Sequence, residues 1–121
     1  MVPFLSTFTG KLDAAVEVAR RALKYLPNEP GIHFILGNVL GKSDRLEEAE
    51  SSFLRALALD PNMGSYHANI GVLYHRWNKF TQAEYHYQKA LEINPSDSAT
   101  LENVQKLKRV QSKQQRSKQT I

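Results

Sequence analysis

Residues 64–97, GSYHANIGVLYHRWNKFTQAEYHYQKALEINPSD, fall onto residues 30–63 when slid back by thirty-four positions. In that register Gly71 meets Gly37, Ala83 meets Ala49, Tyr87 meets Phe53, Ala90 meets Ala56 and Pro95 meets Pro61. A fixed period of this length restricts the fold more than any overall composition does. Each copy is one supersecondary unit too small to bury its own apolar face, so neighbouring copies must stack. The expected fold class is therefore all-α, an α-solenoid of antiparallel helix pairs with a C-terminal capping helix.

The repeated positions have a physical reading of their own. Glycine inside a helix costs about 1 kcal/mol relative to alanine, so Gly37 and Gly71, each in the middle of an apolar run, imply a close approach of two helices. Ala49 and Ala83 open the second helix of each pair, and we expect small residue to face small residue across the pair. Pro61 and Pro95 stop the second helices, because proline cannot continue the hydrogen-bond ladder.

A chain of 121 residues with 41% hydrophobic content suits one domain with a modest core. No apolar run reaches eighteen residues, so no spanning segment is expected, and residues 1–10 lack the charged start of a secretory signal. The absence of cysteine removes disulfide and thiol chemistry and leaves the compartment open. The formal charge of +4 is unevenly distributed. All twelve acids precede residue 105, whereas Lys106, Lys108, Arg109, Lys113, Arg116 and Lys118 follow it. A basic tail without interleaved aromatics is expected to be solvated, so nucleic acid is not the expected partner.

Carried back to the N-terminus, the same register places Ala15, Ala22 and Pro27 on Ala49, Ala56 and Pro61. Residues 11–29 are thus expected to form a half repeat, a second helix from about Lys11 to Leu26, after a remnant segment 1–10 in which Pro3 disfavours a helix interior. On this reading the chain starts partway through a repeat. Full repeats span 30–63 and 64–97: helices are expected over Pro30 to Lys42, Leu46 to Leu59, Met63 to Trp77 and Phe80 to Ile93. Asp44 with Glu47 offers a capping box, and Asn78-Lys79 a turn. A capping helix over 98–112 carries a stripe of Leu101, Val104, Leu107 and Val110, and a disordered basic tail is expected over 113–121.

Four histidines raise the question of a metal. His67 and His75 stand eight apart on one helix, but no cysteine and no close histidine spacing supports a closed site, and we expect no metal and no cofactor. No nucleophile with a base and an orienting group is evident, and no glycine-rich phosphate loop appears. We name no catalytic residue.

The pattern His67-x2-Ile70-Gly71-x2-Tyr74, Ala83-x3-Tyr87 and Pro95 resembles the tetratricopeptide repeat, with histidine in place of the first tryptophan. That resemblance implies a concave groove lined by the first helices and a protein or peptide partner in it, with no small-molecule substrate. The positions similar to ligand contacts include Phe34, Asn38, Lys42, Asn69, Val72, His75, Arg76 and Asn103. Asn38, Asn69 and Asn103 offer amides able to hold a peptide backbone with little regard to its sequence. Co-chaperone arrays that grip a C-terminal carboxylate have basic residues where this chain has Phe34, Ala99 and Asn103, so their charge clamp is missing. A stand-alone adaptor, a structural end-piece of a longer array and a nucleic-acid binder acting through the tail are the alternatives.

A narrower likeness lies in Tyr66-His67-Ala68-Asn69-Ile70-Gly71-Val72-Leu73-Tyr74-His75-Arg76-Trp77, which resembles the last repeats of the transmembrane and tetratricopeptide repeat-containing protein O-mannosyltransferases. Leu36 to Ser43 and the stretch from Asn94 to Asn103 are similar in kind. The resemblance implies a parent protein whose membrane part transfers mannose from a dolichyl-phosphate donor, with the repeats on the lumenal side of the endoplasmic reticulum. Contact with a membrane would then come only through that parent.

Overall fold

Helical signals dominate the chain, and helices are what form. The computed structural model describes residues 3–119, with side chains over 10–118. Its elements are α1 (Pro3–Tyr25), α2 (Pro30–Lys42), α3 (Leu46–Leu59), α4 (Gly64–Arg76), α5 (Phe80–Ile93) and α6 (Ser98–Gln119). Among the described residues there is no strand, and no helix is long and apolar enough to cross a membrane. The chain divides into two compact units, residues 1–62 with α1 to α3 and residues 63–121 with α4 to α6.

In the first unit α2 packs against both α1 and α3. Pro30 stands at the start of α2, where its missing N–H costs nothing. Val16, Ala19, Leu36, Leu40, Ala49, Phe53 and Ala56 are buried. Glu48 in the first turn of α3 receives Arg45 through two bonds of 2.9 and 2.8 Å and Arg20 of α1 at 3.0 Å. The hydrogen bond from Arg45 holds the Glu48 carboxyl below the usual carboxylate range.

In the second unit α5 packs against α4 and α6, and α6 also touches α4. Ile70, Leu73, Tyr74, Ala83, Tyr87, Ala90 and Leu107 are buried. Thr100 is buried at the start of α6, where its hydroxyl donates to Asp97 Oδ2 at 2.6 Å.

The bounds of α2, α3 and α5 match the expected ones, and five expectations are corrected. The glycine notches receive aromatic rings, not alanines. A Cβ built on Gly37 would lie 2.6 Å from Phe53 Cδ1, and one on Gly71 would lie 2.5 Å from Tyr87 Cδ1. Asp44 does not stand at the N-cap of α3: it takes a left-handed φ of 60°, as Asn78 does at 59°. The residue before α3 is Arg45, and it makes no side-chain capping bond. Asp and Asn tolerate this conformation because their short polar side chains bond locally. The backbone then doubles back through Arg45 N–H to Leu40 O at 3.0 Å and Lys79 N–H to Tyr74 O at 2.8 Å.

The other three corrections concern the end helices. α1 begins at Pro3, eight residues before the expected Lys11, because proline in the first position of a helix loses no hydrogen bond; Met1 and Val2 lie outside the described residues. α6 runs on to Gln119, where disorder was expected from residue 113. Its Gln, Lys and Arg residues are good helix formers, and no Gly or Pro interrupts them. Thr120 and Ile121 lie outside the described residues. The buried side of α6 also differs from the expected stripe. It carries Thr100, Val104, Leu107, Val110 and Gln111, with Asn103 half-buried beside them, while Leu101 is 45% exposed. Steps of three and four keep these residues on one side, whereas steps of three alone rotate around the helix.

Candidate functional site

The helix α4 is divided lengthwise. Tyr66, His67, Ile70, Gly71, Leu73 and Tyr74 are buried. Besides Gly64 and His75, what remains accessible is Ser65, Ala68, Asn69, Val72 and Arg76, which follow one another at steps of three, one, three and four and so share one face. Three of the expected groove residues, Asn69, Val72 and Arg76, lie on that open face. Asn103 stands on α6, partly buried. Asn69 and Asn103 are thirty-four residues apart and hold the same repeat position, one amide on each of two first-type helices.

His75 is placed differently from what its position in the pattern implies. Its Nδ1 lies 3.2 Å from the Tyr87 hydroxyl, and its ring meets Phe80 and Tyr87 edge-on at 5.9 and 6.3 Å between centroids. Burial, helped by the Lys106 ammonium, holds this imidazole below the usual histidine range. Burial likewise pushes the Tyr87 hydroxyl up to about 12.

Phe34, Asn38 and Lys42 belong to α2 in the first unit. Phe34 is partly buried, its ring 5.9 Å from that of Phe53, so it takes part in pairing α2 with α3. Asn38 is partly buried and Lys42 is exposed at the end of α2. In the repeat register Asn38 corresponds to Val72, and Asn69 to Ile35, so the amide stands one helical turn later on α2 than on α4.

Reasoning from sequence missed one polar cluster. His67 and His86 are both buried, with their Nδ1 atoms 3.1 Å apart and their rings stacked at 5.3 Å. One ring must carry its proton on Nδ1 and donate it to the other. Burial, reinforced by His67, pushes His86 down to about 4, so the His86 ring is neutral at pH 7. The same register that sets Gly71 against Tyr87 brings these two together; in the first unit the corresponding residues are His33 and Ser52, and His33 Nε2 lies 2.8 Å from Pro27 O instead. Two imidazoles fall short of the four ligands of a structural metal site, and among the described residues no three His, Asp or Glu side chains converge.

Two family models, each described as the tetratricopeptide repeat, match residues 8–63 and 65–97. Among solved structures, the first TPR of Spaghetti (RPAP3), bound to an HSP90 peptide, is similar over 88% of this chain and 84% of that one, with 19% identity and a TM-score of 0.80. YrrB, a TPR protein with an unusual peptide-binding site, is similar over 82% of this chain and 51% of its own, with 24% identity and a TM-score of 0.75. A Thermobaculum terrenum O-GlcNAc transferase is similar over 75% of this chain but only 18% of its own, with 26% identity and a TM-score of 0.71. This chain thus spans about half of YrrB and less than a fifth of the transferase. No curated protein matches the chain. The likeness to O-mannosyltransferases gains no support from these comparisons, since the one glycosyltransferase among these three structures shares only a small part of its length and transfers a different sugar.

Proposed function

Since this chain belongs to the tetratricopeptide repeat family, we propose that it is a peptide-binding module that holds an extended segment of a partner protein along the first-type helices α4 and α6 of its second unit. The lengthwise division of α4 carries the reading. Its bulky apolar residues are committed to packing, and the face left over is made of small, amide and cationic side chains around Val72. Amides at Asn69 and Asn103 offer a donor and an acceptor each, which suits the alternating N–H and C=O groups of a peptide backbone. Two of the similar structures are described by their peptide sites, which supports the same reading.

The test is a peptide display selection with the full chain, followed by titration of the selected peptides. Asn69→Ala with Asn103→Ala should weaken them about tenfold, the effect of one or two lost hydrogen bonds. Unchanged affinity in that double variant overturns the amide role.

A finer version of the proposal rests on the Tyr66 to Trp77 stretch: the module presents acceptor segments to an O-mannosyltransferase in the endoplasmic-reticulum lumen. It predicts that Ser/Thr-rich peptides bind better than Ala-substituted counterparts. Equal affinities favour an adaptor independent of that enzyme.

A further inference from the structure

α6 outlasts the body it packs on. Gln111 is its last partly buried residue, and residues 112–118 are exposed on every side. Along this helix Lys106, Arg109, Lys113 and Arg116 follow one another at steps of three, four and three, and all four are exposed. That spacing places them in one narrow stripe about 15 Å long. Glu102, one turn before, pairs with Lys106 at 3.7 Å, and no acid follows it in the sequence. Like charges three and four residues apart oppose helix formation, so the extension is a helix whose own charge pattern works against it. The stripe also belongs to the same unit as the candidate site: α6 touches α4, and α4 itself contains Arg76 and no acid.

We propose that the α6 stripe binds an acidic polypeptide segment, a continuation of the peptide held on the open face of α4; the inference rests on the peptide-binding reading above. The chemistry of the helix selects this partner among the anions. A single-stranded nucleic acid calls for aromatic platforms, and α6 contains no Phe, Tyr or Trp. A membrane surface calls for an apolar face opposite the charges, and the extension beyond Gln111 is polar all round. An extended peptide advances about 3.3 Å per residue, so alternate residues project to one side about 7 Å apart. Two or three carboxylates can therefore lie along the stripe. Neutralising the row of cations removes the repulsion that opposes the helix, so occupancy should raise helicity as well as capture the ligand.

The experiment uses the full chain and three fluorescein-labelled ten-residue peptides that alternate Ser with Glu, Gln or Lys. A short duplex DNA and phosphatidylserine vesicles serve as competing anions. At about 50 mM salt the Glu peptide should bind at least about tenfold tighter than the Gln peptide, with the gap closing as salt rises. Far-ultraviolet helicity should increase on saturation, and Arg109→Glu with Lys113→Glu should abolish both effects. Equal binding of the Glu and Gln peptides overturns the proposal, as does an indifferent double variant. Tighter binding of the duplex or the vesicles, lost in the same variant, reassigns the stripe and overturns it too. If Glu and Gln peptides bind alike and Asn69→Ala with Asn103→Ala weakens both, the groove stands and the stripe falls. If the Glu preference is lost only in the charge-reversed variant and the amide double variant changes nothing, the stripe stands without the groove.

Discussion

At Gly71 a single methyl group decides whether α4 and α5 can stay at their present distance. A Cβ there would sit 2.5 Å from the ring of Tyr87, a side chain only 1% exposed and with no room to retreat. Gly71→Ala should therefore lower stability by about 1 to 3 kcal/mol despite its better helix propensity, read as a drop in the urea midpoint. An unchanged midpoint would show that the ring moves freely. A second residue-scale prediction concerns His86. Its folded value of about 4 lies below the ordinary value of 6.5, so the unfolded chain binds the proton more readily between those limits. Stability from this group is complete above pH 6.5 and is lost as the pH falls toward 4. The loss should reach about 2 kcal/mol, allowing for the part of the ring that water still reaches. His86→Phe should flatten the acid limb of the stability curve; a wild-type curve already flat from pH 7 to 4 would refute the role given to the histidine pair.

The elements differ in how openly the sequence announces them. α2, α3 and α5 were legible to the residue, because Pro30, Pro61 and Pro95 fix the edges of the repeat and apolar periodicity fills it. The ends of the chain were not, since α1 before Lys11 and α6 beyond Ser112 are long first and last helices for which a repeat register has no counterpart. The open face of α4 could be read from repeat position alone. The retreat of His75 toward Tyr87, and the meeting of His67 with His86, depend on helix pairing that no single segment encodes. The turns gave a different lesson. Asp44 looks like the start of a helix in sequence and Asn78 like a turn, yet both finish the previous helix in a left-handed conformation. Glycine adopts that conformation without a Cβ penalty, so Asn78→Gly should be neutral or slightly stabilising, whereas Asn78→Val should cost about 1 to 2 kcal/mol. Thermal melts of the two variants that shift equally would contradict this account of the turn.

Over the whole molecule, protection should follow the two units and their helix pairs. Amides in α2, α3, α4 and α5 are expected to exchange most slowly with deuterium, and those of residues 112–118 to exchange close to the unprotected rate, because that stretch buries nothing. Slow exchange throughout α6 would mean that something covers its extension. The paired notches also bear on how such a chain reaches its fold. Gly37 accepts Phe53 and Gly71 accepts Tyr87 by nearly the same geometry, so α3 and α5 carry interchangeable plugs for interchangeable holes. Nothing in shape alone stops a nascent α5 from plugging the hole in α2. Distance along the chain settles the competition, because only three residues separate α2 from α3 and three separate α4 from α5, and short loops close fastest. Lengthening the connection at residues 77–79 would erase that kinetic advantage and invite the exchange of second helices between molecules.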